Sequence, residues 1–368
     1  MTFAPTSPLI IDGLPKFLSM GYHRLLDRAT YTFAELGLAD RLVNALPNQG
    51  LTAHELISNE EIEWNADILH RVLCACTDVG LVERVKNTID DKHFVLTSSG
   101  LMLTSDHPSH ARDYVRYYLG PMSSNIGYQL IKLVRGQCKG TGFAEASRGL
   151  DLYTYLKQQE NQDYLRLYNG VMTCLSTYTG DKLVTGVDFG RFETLVDLGG
   201  SRGTFLAEIL QHYQNIRRGF IFDLSQYIAE VKSADEFESR QITSSRYTFI
   251  AGNMTDSSTI PQADAYILKY ILHLFNDEIC VNLLSSIRKA NEQRTDTLLT
   301  IFIVEHIIFS DGTVSNWQAH SFDIGMAASG GERTEQEYQV LLEKAGFQLK
   351  KLYPIQAPDS IIEAVFVK

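Results

Sequence analysis

The sequence predicts an α/β protein in which a helical N-terminal half leads into a doubly wound sheet whose last two strands form an antiparallel hairpin. Three observations carry that expectation. The stretch Leu195-Val196-Asp197-Leu198-Gly199-Gly200-Ser201-Arg202-Gly203 reads as a strand that ends in an acid and a glycine-rich turn. Thr204 to Tyr213 follows as an amphipathic helix, and Phe220-Ile221-Phe222-Asp223 as a second apolar strand ending in an acid, so the segment is one βαβ unit. After Gly186, strand and helix patterns alternate to the end of the chain, the signature of a doubly wound sheet.

The 368 residues are enough for two domains and a sizeable core, and the 44% hydrophobic content is that of an ordinary globular chain. With 33 basic against 44 acidic side chains the net charge is -11, which repels phosphate-rich partners and argues against nucleic acid as a ligand. Five cysteines, Cys74, Cys76, Cys138, Cys174 and Cys280, are odd in number and lie mostly in apolar helical patterns, as expected of reduced thiols. Cys74 and Cys76, two apart, suit neither a zinc knuckle nor a redox pair. There is no basic segment before an apolar one at the start and no apolar run of about 18 residues, so a cytoplasmic protein without membrane contact is expected.

In chain order, Phe33, Leu36, Leu38, Leu42 and Leu46 keep a helical rhythm. Thr52 is an N-cap for a second helix, and Ala66 to Val79 forms a third that Gly80 stops. Leu81–Arg84 and Phe94–Leu96 flank a polar turn, giving the outline of a winged helix. Only His70 and Arg71 on its third helix could meet phosphate, and Asp67 and Asp78 oppose them, so pairing with a second copy explains the apolar faces better than DNA does. From His110 to Thr185 the chain is helical and rich in tyrosine; most of these rings fill core, and Tyr168 with Met172, an i, i+4 pair, is the best candidate for a pocket wall. The boundaries expected are 1–108, a helical linker 109–185, and 186–368. Strands are expected at Thr194–Asp197, Gly219–Asp223, Tyr247–Ala251, Ala265–Lys269 and Leu298–Glu305, then Gln348–Tyr353 and Ser360–Lys368. The last two, separated by Pro354 and Pro358, are too close for a helical crossover and must pair antiparallel at a sheet edge.

In open α/β sheets the ligand lies beyond the carboxyl ends of the strands. Those tips present Asp197 with the glycine turn, then Asp223, Gly252-Asn253-Met254, Lys269 with His273, and Glu305. Glycines admit a ligand close to the backbone, and Asp223, 20 residues past Gly203, is at the reach of a ribose. The Asn253 amide oxygen and the Met254 thioether suit an adenine. Lys269 ends a buried strand and needs an anion, either a ligand carboxylate or a protein acid. An imidazole at His273 titrates near neutrality and can take a proton from a hydroxyl, while Glu305 and Glu332 can fix its tautomer and stabilise its cation. The other nine histidines show no comparable setting.

The order of these motifs, from the winged-helix outline through Val-Asp-Leu-Gly-Gly, Asp223, Gly-Asn-Met, Leu-Lys-Tyr-Ile-Leu-His, Glu305 and Gly-Gly-Glu-Arg-Thr to Ala345-Gly346-Phe347, resembles the S-adenosylmethionine-dependent small-molecule O-methyltransferases of the caffeate, hydroxyindole and bacterial tailoring types. The match runs from about residue 25 to residue 368. The resemblance implies a class I methyltransferase sheet of Rossmann-like type, a winged-helix dimerisation domain that builds a homodimer, and S-adenosyl-L-methionine as donor with S-adenosyl-L-homocysteine as product. It carries over Gly199, Gly200 and Gly203 at the methionine moiety, Asp223 at the ribose, Met254 at the adenine and Lys269 near the donor carboxylate. Asp197, Leu224 and Asn253 complete the donor site. His273 takes the base role between Glu305 and Glu332, with Tyr168, Met172, Phe275, Asp323 and Met326 at a small aromatic acceptor. No metal is required.

Three positions depart from the family pattern. Ser201 stands where a third glycine is usual, Asn253 where an acid commonly accepts from the adenine, and Leu274-Phe275 where Asp-Trp usually follows the histidine. The activity implied is methylation of a phenolic hydroxyl. The alternatives are a non-methylating rearrangement, pericyclic or hydroxylation reaction on the same donor fold, or transfer to carbon or nitrogen.

Overall fold

The computed structural model describes residues 12–46, 49–58, 63–85, 92–138, 140–230, 235–294, 298–310, 316–326, 330–356 and 359–366. Two compact units result. One comprises Pro8–Val134 and Phe143–Tyr178, the other Arg135–Gly142 and the chain from Thr179 onward, and the division falls inside the helix Gln162–Gly186.

In the first unit the local signals act as the sequence predicts. Thr52 closes a capping box, its hydroxyl accepting from the Glu55 N–H while the Glu55 carboxylate accepts from the Thr52 N–H, and so starts Ala53–Ile57. Asn65 caps Ala66–Val79, and Gly80, at φ 80°, ends that helix in the left-handed conformation that a side chain disfavours. Strands β1 (Val82–Arg84) and β2 (Phe94–Leu96) pair antiparallel. The tip of the turn between them lies outside the described residues. Phe33, Leu38, Leu42, Leu73, Cys76 and Phe94 fill this unit's core. Tyr117, Tyr155, Tyr164 and Tyr168 make a separate ring cluster.

The second unit holds a seven-stranded sheet made of β3 (Thr194–Leu198), β4 (Arg218–Asp223), β5 (Tyr247–Ala251), β6 (Ala265–Lys269), β7 (Thr300–His306), β8 (Phe347–Gln356) and β9 (Asp359–Phe366). Its order is β5-β4-β3-β6-β7-β9-β8; β3 to β7 run parallel, and the hairpin β8–β9 joins β7 antiparallel. The expected strand Ser360–Lys368 is therefore found, with its last two residues and Pro358 outside the described set. Alternate residues feed two cores: Val196, Tyr266, Leu268, Ile301 and Ile303 pack in one, and Leu195, Ile267, Phe302 and Val304 in the other. A parallel sheet covered on both faces demands such continuous apolar runs, and it brings Asp197, Asp223, Lys269 and Glu305 together at its carboxyl end.

Candidate active site

The turn after β3 is built for close approach. Gly199 (φ 77°) donates its N–H to the Phe222 carbonyl at 2.7 Å, and Gly203 (φ 82°) caps the helix Thr204–His212, whose first N–H groups face out. A Cβ on Gly200 would stand 2.8 Å from Asp197 Oδ2. Ser201, in the place of the third glycine, holds φ at 50°, a conformation a non-glycine residue adopts at a cost of about 1 kcal/mol. Its N–H donates to Asp223 Oδ2 at 3.0 Å, and the Leu224 N–H donates to Asp223 Oδ1 at 2.8 Å. Each oxygen of that carboxylate keeps a lone pair for a diol. Burial raises both acids, Asp197 up to about 7, with Lys269 pulling against it. A glycine cradle, a helix N-terminus and a pinned acid one strand over fit a nucleoside-bearing donor.

Asn253 differs from expectation. Its Oδ1 already accepts from the Thr255 N–H (3.0 Å) and the Thr255 hydroxyl (2.9 Å), so the side chain closes its own turn and has no lone pair left for an adenine. Met254, half-buried beside the turn, stays available. Lys269 is half-buried, with its ammonium 4.0 Å from the Tyr270 ring centroid. Burial lowers its pKa, while Asp359, Asp197, Glu208 and Glu305 hold it up.

His273 sits on a single 3₁₀ turn, Leu272–Leu274, just past β6, and is only 3% exposed. Its Nδ1 lies 2.9 Å from Glu332 Oε1 and 3.2 Å from Glu305 Oε2. Glu305 Oε1 accepts backbone N–H groups of Ile271 (3.0 Å), Leu272 (2.9 Å) and His273 (3.4 Å), so one carboxylate fixes the turn and the ring together. Tyr270 and Phe322 lie nearly parallel to the imidazole, at interplanar angles of 9° and 24°. Burial pushes Glu305 up to about 7 and Glu332 up to about 8, and holds the His273 imidazole below its usual 6.5 against the pull of Glu305. Where Glu332 is ionised its carboxylate only accepts, which draws the ring proton onto Nδ1 and leaves Nε2 as the acceptor, with the Glu305 carboxyl 3.2 Å away adding its field. The same three side chains bring one ligand atom each within 4.8 Å, so a cation is the competing occupant of that space.

Other side chains hold this arrangement. Gly331 donates its N–H to the His273 carbonyl at 2.9 Å, and Asp323 Oδ1 accepts from the Glu332 N–H at 2.8 Å. Arg333 donates to the carbonyls of Leu272 (3.1 Å) and Phe275 (2.8 Å) and to Asp277 Oδ1 (2.9 Å), stapling both ends of the histidine turn. Phe275 packs on the sheet core. Met326 ends the helix Trp317–Met326, and its side chain lies outside the described residues. Tyr168 and Met172, both half-buried, belong to the other compact unit. Sequence reasoning missed His306 and Asp359, buried partners 3.2 Å apart. The position of His306 at a strand tip beside Glu305 is the signal that could have found it.

The fold matches that of class I methyltransferases, a mostly parallel sheet with a buried histidine at its carboxyl edge. The model of the O-methyltransferase domain family matches residues 128–348, and the chain belongs to that family. It is similar to O-methyltransferase SfmM3 of Streptomyces lavendulae, 29% identical over 94% of this chain and 98% of that protein. Desmethylxanthohumol 6'-O-methyltransferase of Humulus lupulus is 28% identical over 84% and 85%. Human N-acetylserotonin methyltransferase, solved in complex with S-adenosylmethionine, superposes with a TM-score of 0.79 at 20% identity, covering 98% of this chain and 100% of that one. The protein is an S-adenosyl-L-methionine-dependent methyltransferase.

Proposed function

We propose that this enzyme methylates a phenolic hydroxyl of a small aromatic metabolite, with His273 as general base. The observation that carries the reading is the double carboxyl contact on His273 Nδ1, which leaves Nε2 free to take the phenolic proton. When bound, the donor supplies a methyl group already activated on a sulfonium. The protein's own residues have the remaining work of holding the acceptor oxygen in line and accepting its proton. As the O–C bond forms and the C–S bond breaks, that proton passes to Nε2, and Glu305 and Glu332 stabilise the resulting imidazolium. Gly199, Gly200, Gly203, Asp223, Leu224, Met254 and Lys269 hold the donor, and Asp323 and Phe275 border the acceptor.

The N-terminal winged-helix arrangement serves dimerisation in this reading. The exposed apolar side chains Leu14, Phe17, Leu18, Tyr22 and Leu25 on the helix Leu14–Glu35 support a second copy as their cover. All five cysteines are free, which fits a cytoplasmic setting. Incubating wild type and His273→Ala with donor and a panel of phenols tests the base. Stoichiometric S-adenosylhomocysteine in wild type and its loss in the variant are expected; undiminished methylation in the variant removes the assignment.

A further inference from the structure

We propose that His306, held by Asp359, is a second recognition point for the acceptor, accepting a hydrogen bond from a hydroxyl or amino substituent other than the hydroxyl that His273 deprotonates. The inference rests on the phenolic reading above. His306 closes β7, and its register partner across the antiparallel pair is Asp359, the first residue of β9. Pairing therefore brings the two side chains together, with His306 Nε2 3.2 Å from Asp359 Oδ1. The Tyr270 hydroxyl donates to that same oxygen at 2.6 Å. An ionised carboxylate only accepts, so it draws the ring proton onto Nε2 and leaves Nδ1 as an acceptor.

That Nδ1 is buried and has no hydrogen-bond partner among the described residues. His306 as a whole is 5% exposed, close to the 3% of His273. An acceptor group positioned for a ligand donor accounts for this Nδ1. The location agrees. Tyr270 and Phe322, which flank His273 at 5.8 and 5.7 Å between ring centroids, also flank His306 at 5.4 and 4.6 Å. Two imidazoles thus share one aromatic box at the carboxyl ends of β6 and β7, where ligands of open α/β sheets lie.

Their proton positions are opposite. His273 carries its proton on Nδ1 and His306 on Nε2, so each offers one bare nitrogen. An acceptor with two donor groups satisfies both, whereas a methoxy or carbonyl substituent would set its lone pairs against that of Nδ1. Sites built to pair with a substrate hydroxyl discriminate against analogues that lack it, because a buried group is left unpaired.

The test compares kcat/KM, read as S-adenosylhomocysteine formed, for 2,3-dihydroxynaphthalene, 2-naphthol and 3-methoxy-2-naphthol. Wild type, His306→Phe and Asp359→Asn are each used after a thermal melt that establishes folding. Wild type should favour the dihydroxy compound over 2-naphthol by about tenfold or more and use the methoxy compound least. Both variants should bring the dihydroxy-to-monohydroxy ratio down about tenfold, towards unity. Should His306→Phe fail to fold, the ratio in Asp359→Asn decides. A ratio near one in wild type, or one unmoved in the folded variants, overturns the role of His306 and leaves the phenolic reading standing. Wild type that methylates no phenol overturns that reading, and this inference with it.

Discussion

Glu332→Gln is expected to slow methyl transfer and, over the same pH range, to stabilise the fold. Glu332 Oε1 stands 2.9 Å from His273 Nδ1, and its Oε2 is buried with no hydrogen-bond partner among the described residues. A glutamine carbonyl can occupy the Oε1 position and keep the proton on Nδ1, so the substitution removes charge more than geometry. Hydrogen bonds to charged groups exceed neutral ones by about 1–1.5 kcal/mol, so where the carboxylate is ionised, above its raised value of about 8, the loss in kcat is about tenfold, and below that value wild type and variant converge. Glu305, 3.2 Å from the same nitrogen, limits the loss. Stability moves the other way. Burial raises the Glu332 carboxyl from 4.5 to about 8, so between those values the folded state keeps a proton that the unfolded chain has released. The stabilisation from this group is complete below pH 4.5 and is lost as pH rises towards 8. Glutamine does not titrate. Its stability relative to wild type should therefore climb by a few kcal/mol, at about 1.4 kcal/mol per pKa unit as a ceiling. Turnover at pH 7 and 9, with the loss expected at pH 9, and denaturant midpoints at pH 5, 7 and 9 measure both effects. Unchanged kcat, or a stability gap that shrinks as pH rises, would refute the reasoning.

Asp223→Asn should weaken S-adenosylmethionine binding about 10-fold to 100-fold by calorimetry, because an amide cannot accept at both atoms that now take the Ser201 and Leu224 N–H groups. An unchanged Kd would contradict this. Gly330→Ala should cut kcat about 100-fold or more while donor affinity holds, since its Cβ would lie 1.9 Å from the His273 carbonyl oxygen and must push the histidine turn aside. Comparable losses in Kd and kcat would show the damage to be general. Treatment with a metal chelator should leave turnover unchanged; loss of activity restored by a divalent cation would assign the His273, Glu305 and Glu332 cluster to a metal instead.

Much of this architecture is legible because its signals are local. Thr52 and Gly80 mark helix ends through their own backbone chemistry, and four of the five parallel strands, β3, β4, β6 and β7, carry an acid or lysine at the tip of an apolar run. His273 is readable from its place just past such a tip. What local pattern cannot show is convergence. Glu305 reaches the ring from β7, beside β6, and Glu332 reaches the same nitrogen because the Gly330-Gly331 backbone closes on the His273 carbonyl, both set by tertiary packing. The pair His306–Asp359 depends on the register between β7 and β9, which lie far apart in sequence. Asn253 misleads for the opposite reason, as its side chain meets its nearest neighbour, Thr255, before any ligand.

Glu332, with Glu305 beside it, holds the His273 proton on Nδ1 in this mechanism and leaves Nε2 bare to receive the acceptor's proton. Nitrogen-15 NMR of histidine-labelled protein near pH 9, above the raised Glu305 and Glu332 values, with the His273 signals assigned by their loss in His273→Gln, reads this directly. A protonated Nδ1 with an unprotonated, pyridine-type Nε2 is the expected result. A proton found on Nε2, with Nδ1 bare between the two carboxyl groups, would contradict the account.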